Sequence, residues 1–138
     1  MDVAHPVKQG VRKEQRMNQY HDPKIEFRVE ELLCQMTLEE KAAQMVQVPY
    51  AYVPREEALL WARRGAGSFL HVMGDEAREI QSLALQTRLG IPVLFGIDAI
   101  HGHGLNPRAT IFPSQLAAAC AWNPALVEEM GRVTAREV

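Results

Sequence analysis

Six consecutive residues, Pro92-Val93-Leu94-Phe95-Gly96-Ile97, are apolar at every position, and an aspartate, Asp98, follows directly. Successive strand side chains point to opposite faces, so a half-exposed strand alternates apolar with polar residues. A strand without that alternation is expected to be buried on both faces, as in a parallel sheet covered by helices. A carboxylate ending such a strand lies near low-dielectric surroundings and needs partners. This segment predicts an α/β fold and marks the place where its chemistry is expected.

The rest of the chain supplies the alternating elements such a fold requires. Residues 1–23 are polar and aperiodic and read as a flexible arm. Val29, Leu32, Leu33 and Met36 then form one helical stripe. Thr37-Leu38-Glu39-Glu40 is a capping box that starts a second short helix with Leu38, Ala42, Met45 and Val46 on one face. The run from Met45 to Tyr50 reads as a strand or the end of that helix. Pro54 opens a helix with Ala58, Trp61 and Ala62 inward, stopped by Gly65 or Gly67. Gly67 to Val72 reads as a strand. Asp75 to Leu89 reads as a helix with Ala77, Ile80 and Ala84 inward and Gly90 as its stop. Leu116 to Trp122 is small and apolar, a candidate fourth strand. Asn123 caps a last helix with Pro124 at its first position and Leu126, Met130 and Val133 inward.

This β-α-β-α order predicts parallel strands. The strand centres recur at intervals somewhat shorter than the ~31 residues of an eightfold barrel of ~250 residues. Three or four such units make about half a TIM-type (β/α)8 barrel. A Rossmann half has similar spacing, but no G-x-G-x-x-G opens any helix here.

Composition narrows the partners. With 47% hydrophobic and 23% charged residues the chain resembles ordinary globular proteins. A net charge of −2 without a basic stripe argues against nucleic acid. No run approaches the ~20 apolar residues of a membrane span, so no membrane partner is expected. The N-terminal residues contain no apolar core of a signal peptide, so the chain as written is expected to be cytoplasmic. Cys34 and Cys120 match no metal or disulfide spacing and read as ordinary thiols.

In a barrel of parallel strands, binding residues collect at the carboxyl ends, where Asp98 stands. Two readings of it stay open: a carboxylate that accepts from a ligand's hydroxyls, or one that caps amides of the following loop. Asp98, His101 and His103 also form a common metal-ligand set, although bonding of the histidines within the loop is the favoured reading and no metal is expected. His71, at the end of the second strand, reads as a half-buried histidine satisfied by backbone. Trp61 and Trp122 can stack on sugars, but both read as core residues.

Several blocks together carry a resemblance: Met36-Thr37-Leu38-Glu39-Glu40-Lys41, then Ile91 to Gly102 containing Gly96-Ile97-Asp98-Ala99-Ile100-His101-Gly102, then Ala109-Thr110-Ile111-Phe112-Pro113, and a closing block with Trp122 to Val127 and Gly131 to Val138. From about Glu26 to Val138 the chain resembles glycoside hydrolase family 3. The resemblance implies that residues 24–138 are an incomplete N-terminal barrel domain. It also implies a parent that removes non-reducing terminal β-glycosyl units with retention and needs no cofactor. The substrate is then a β-glucoside or β-linked gluco-oligosaccharide, and the oligomeric state is left open. The aspartate matching Asp98 binds hydroxyls of the sugar in the −1 subsite, with His101 and His103 as loop support. The nucleophile and acid/base are expected beyond Val138. Asp98 in this motif resembles β-glucosidase and glucan exohydrolase members, whereas xylosidase-like members typically have glutamate there, and the N-acetylglucosaminidase branch has Asp-Gln-Glu-Gly-Gly. The Ala117-Ala118-Ala119-Cys120-Ala121 run departs from the family's usual Gly-rich stretch.

A β-glucosidase-type parent is thus the leading expectation. The alternatives are a sugar-binding module without hydrolysis and a metal-dependent hydrolase using Asp98, His101 and His103. Half a barrel leaves strand edges and an apolar face open. Purified residues 1–138 are therefore expected to be poorly stable and to leave a chromogenic β-glucoside intact. Turnover of that substrate by the purified chain would refute this reading.

Overall fold

The computed structural model describes residues 22–138. The chain divides into two compact units, one ending at Ala42 and one beginning at Ala43. The polar arm read over residues 1–23 lies outside the described residues, apart from Asp22 and Pro23. Those two begin helix α1 (Pro23–Gln35), with the Asp22 side chain accepting from the amide of Lys24 at 2.9 Å.

Thr37 separates α1 from α2 (Leu38–Gln44) through the expected reciprocal cap. The amide of Glu40 donates to Thr37 Oγ1 at 3.2 Å, and the amide of Thr37 donates to Glu40 Oε2 at 2.9 Å. Such a cap satisfies two amides that helix geometry leaves without partners, worth about 1 kcal/mol. The inward face of α2 differs from the expected one. Leu38 and Met45 are exposed and Ala43 is the buried residue, its carbonyl accepting from the amide of Gly67 at 3.1 Å. No residue of α1 is buried, and Val29 and Leu33 of its apolar stripe are exposed.

The second unit is built on a three-stranded parallel sheet in the order β1 (Gln47–Pro49), β2 (Ser68–Leu70), β3 (Leu94–Gly96). A short 3-10 turn, Tyr50–Tyr52, leads from β1 towards α3 (Arg55–Arg63), and α4 (Gly74–Leu85) connects β2 to β3. The α/β class with parallel strands read from the sequence is the fold observed. Helices α3 and α4 pack on each other, and Ala58, Ala62, Ile80 and Ala84 join Val48, Phe69, Val72 and Val93 in one core. Phe69 and Ile80 are its largest fully buried side chains. Alanine on two adjoining helices lets their backbones approach closely.

Helix α3 stops in a Schellman motif. The amide of Ala66 donates to the carbonyl of Trp61 at 3.0 Å and that of Gly65 to Ala62 at 3.1 Å, with Gly65 at φ 81°. A side chain is disfavoured in that conformation, which is why glycine ends the helix. Trp61 packs at the edge of the core, with the Arg64 guanidinium 5.6 Å from its ring centroid. Helix α4 ends at Leu85, four residues short of the expected Leu89, as turn bonds from Gln86 and Thr87 replace the helical ladder.

Three further expectations are corrected. The apolar run 92–97 is not buried on both faces, since Leu94 is 74% and Phe95 40% exposed. Among the described residues β3 is an edge strand, and the helices after it, α5 (Gln115–Ala119) and α6 (Pro124–Glu137), pack on one another. Residues 116–122 do not form a strand. Ser114 caps α5 by accepting from the amide of Ala117 at 3.4 Å, and an alanine run without a pairing strand takes its intrinsic helical preference. Trp122 is 93% exposed and not a core residue, because the left-handed backbone at φ 49° breaks the chain between the two helices.

Asn123 and Pro124 open α6 as expected, with Asn123 Oδ1 accepting from the amide of Leu126 at 3.2 Å. Leu126, Met130 and Val133 were expected inward, but no residue of α6 is buried, since α5 is too short to cover the stripe. Among the described residues no helix is long and apolar enough to cross a membrane.

Gly67 is a point of close backbone approach in this unit. Its amide donates to the carbonyl of Ala43 at 3.1 Å, and a Cβ there would lie 2.1 Å from the carbonyl oxygen of Gln44. Both neighbours are backbone and cannot swing aside. Gly67→Ala is expected to destabilise the purified gene product by about 1–3 kcal/mol or more. An unchanged melting temperature would contradict this packing.

Candidate functional site

Parallel pairing aligns the carboxyl ends of the strands. Leu70 pairs with Gly96, and the amide of His71 extends the ladder by donating to the carbonyl of Gly96 at 2.9 Å. Asp98 lies two residues beyond β3. Its side chain is 66% exposed, and its Oδ2 stands 3.3 Å from His71 Nε2. No amide of the following loop donates to it among the described residues, so it is not a loop-capping carboxylate.

His71 is the residue that reasoning from sequence misjudged. Its ring is not satisfied by backbone, since Nε2 faces the Asp98 carboxylate and the buried Nδ1 has no hydrogen-bond partner among the described residues. Its backbone is left-handed, at φ 62°. That conformation costs a non-glycine residue about 1–3 kcal/mol and persists only where the surroundings impose it. The available signal was positional: His71 follows the second strand much as Asp98 follows the third, and in-register pairing brings such ends together.

The loop after Asp98 folds back on itself. The amide of Phe112 donates to the carbonyl of His101 at 2.8 Å, and His101 Nδ1 stands 3.0 Å from the carbonyl oxygen of Phe112. A carbonyl only accepts, so that bond places the ring proton on Nδ1. Gln115 Nε2 donates to the carbonyl of Ile100 at 2.8 Å. Thr110 donates through its amide and hydroxyl to Glu137 at 2.7 and 3.0 Å, tying the loop to α6. His103 is buried, and its Nδ1 has no partner among the described residues. Asp98, His101 and His103 do not converge, and no group of three metal-ligating side chains forms among the described residues.

An apolar groove of about 660 Å3 lies between this loop and α6, lined by Ile100, His101, Phe112, Val127 and Met130 among others. Asp98 is not among its lining residues. Ala99, the residue after the strand-end acid, does line it.

A carboxylate presented to solvent at a strand end, with an imidazole nitrogen 3.3 Å from one oxygen, suits recognition of hydroxyl groups. The comparison that decides the lineage is a family model described as "Glycosyl hydrolase family 3 N terminal domain", which matches residues 37–138. The chain belongs to glycoside hydrolase family 3. It is 31% identical over 120 residues to a protein named beta-xylosidase from Formosa agariphila, covering 84% of this chain. It is 30% identical over 113 residues, 79% of this chain, to a periplasmic beta-glucosidase from Salmonella typhimurium. It also matches the crystal structure of an exo-1,3/1,4-beta-glucanase from a Pseudoalteromonas species, with TM-score 0.72, 32% identity and 85% of this chain covered. The chain spans 12%, 14% and 16% of these three proteins respectively.

Gly102 holds the loop of this family 3 chain together. It sits at φ 103°, and a Cβ would lie 2.1 Å from the carbonyl oxygen of Thr110. Gly102→Ala is expected to open the pairing of His101 with Phe112. Amide exchange at Phe112 should accelerate about tenfold or more, which hydrogen-exchange NMR or mass spectrometry would read.

Proposed function

We propose that these residues belong to a retaining, exo-acting β-glucosidase-like hydrolase that removes non-reducing terminal β-glycosyl units. In this reading residues 24–138 contribute the first part of a TIM-type (β/α)8 barrel, and Asp98 binds hydroxyls of the sugar in the −1 subsite. The observation that carries it is the position of Asp98: a largely exposed carboxylate at the carboxyl end of a parallel strand, held by no loop amide. The relatives' names support a β-glycoside as substrate, and the aspartate in the Gly96-Ile97-Asp98 motif favours glucoside over xyloside.

Retaining hydrolysis uses two carboxyl groups about 5–5.5 Å apart, one attacking the anomeric carbon and one protonating the leaving oxygen. Asp98 takes neither role. Both belong, in this reading, to parts of the protein outside the 138 residues, so the isolated chain does not hydrolyse its substrate. A charge-assisted hydrogen bond from a sugar hydroxyl to Asp98 strengthens as the ring distorts and positive charge develops. It therefore stabilises the transition state more than the ground state.

In the full-length gene product, Asp98→Asn is expected to lower kcat/KM for an aryl β-glucoside about 100-fold or more, because each lost charged hydrogen bond costs about 1.5–3 kcal/mol. Both kcat and kcat/KM fall if the interaction is made chiefly in the transition state. Wild-type kinetics in this variant would remove Asp98 from the sugar site.

A further inference from the structure

We propose that His71 is a positioning residue that sets the orientation of the Asp98 carboxylate before sugar binds. The inference rests on the reading of Asp98 as a hydroxyl acceptor and names the residue that makes it one.

The first ground is register. β2 and β3 pair with Leu70 opposite Gly96. Asp98 lies on the face of Gly96, two residues on, if the extended chain continues. In a regular strand His71 points to the face opposite Leu70, away from the aspartate, because side chains alternate. The two side chains nevertheless meet, with Nε2 3.3 Å from Oδ2. The left-handed backbone at His71, φ 62°, breaks that alternation at the strand end. The strained residue is the one whose side chain meets Asp98.

The second ground is what the ring has for company. The His71 side chain is only 20% exposed, and its Nδ1 is buried without a hydrogen-bond partner among the described residues. The Asp98 carboxylate is the polar group the ring faces. A neutral imidazole carries one proton, and placing it on Nε2 puts it on the nitrogen nearer the carboxylate and leaves the buried Nδ1 as a bare acceptor. At 3.3 Å the contact is longer than an ideal hydrogen bond, and such contacts tighten when a ligand closes the site.

The third ground is the acid itself. An exposed carboxylate samples several rotamers, and freezing them on binding weakens affinity. Packing His71 against one oxygen restricts that freedom beforehand. Oδ1 and the remaining lone pairs of Oδ2 are left to accept from vicinal hydroxyls. Fixing a binding group through a second, well-packed side chain is what gives such sites their geometric tolerance of a fraction of an ångström.

The test uses the full-length gene product and its His71→Gly, His71→Asn and Asp98→Ala variants, with the His71→Gly/Asp98→Ala double variant. Melting temperature, kcat and KM on an aryl β-glucoside, and competitive inhibition by glucose are measured for each. Glycine relieves the left-handed backbone while removing the ring, so His71→Gly should keep or raise the melting temperature. It should nonetheless lower kcat/KM and weaken glucose binding about 5- to 30-fold. Asparagine tolerates the same backbone and offers an amide donor, so His71→Asn should recover part of the loss. In the Asp98→Ala background His71→Gly should have no further effect. Wild-type kinetics for His71→Gly, or an equal loss with and without Asp98, overturns the inference while the sugar-binding reading stands. A loss that follows a lowered melting temperature and is not eased by asparagine also overturns it, leaving a structural role. Full activity in Asp98→Ala overturns the reading of Asp98 and this inference with it.

Discussion

Parallel pairing of Ser68–Leu70 with Gln47–Pro49 on one side and with Leu94–Gly96 on the other turns three carboxyl ends the same way. β2 is the central strand, and Phe69 within it is fully buried beside the alanine faces of α3 and α4. A slip of one residue would turn Phe69 out of that core, so the register is held by hydrophobic burial as well as by the ladder. The same register brings His71 and Asp98 together. The site therefore depends on a packing decision made within the core.

Close backbone approach is the second theme of the unit. Gly67 passes a carbonyl of α2, and Gly102 passes a carbonyl of the returning loop, each at a distance that excludes a side chain. Ala58, Ala62 and Ala84 do the same work between helices and sheet. Small residues let large ones meet elsewhere. The strained conformation at His71 belongs to this pattern, since a non-glycine residue at positive φ persists only when the surrounding contacts over-determine it.

Membership of glycoside hydrolase family 3 gives the strand-end acid its context. The described unit supplies a β-α-β-α-β run and a loop tied by His101, Phe112 and Glu137. The apolar groove against α6 and the exposed faces of Leu94 and Phe95 are surfaces that a parallel-strand fold ordinarily covers with further elements. The edge of β3, unpaired among the described residues, is a surface of the same kind.

Local chemistry was legible in the sequence. The capping box at Thr37, the cap and proline at Asn123-Pro124, a glycine stop at Gly65 or Gly67 and the parallel α/β class all follow from interactions within a few residues or from a repeated pattern. Asp98 could be singled out because an acid after an all-apolar run is conspicuous wherever the run packs. Tertiary structure decided the rest. Whether Leu116–Trp122 pairs as a strand or coils as a helix depends on a neighbouring strand, which periodicity does not reveal, and here α5 forms. Whether Leu94 is buried depends on what lies beyond an edge. The partnership of His71 with Asp98 joins residues just beyond the ends of two different strands through a register and a left-handed turn, so only the folded chain could show it.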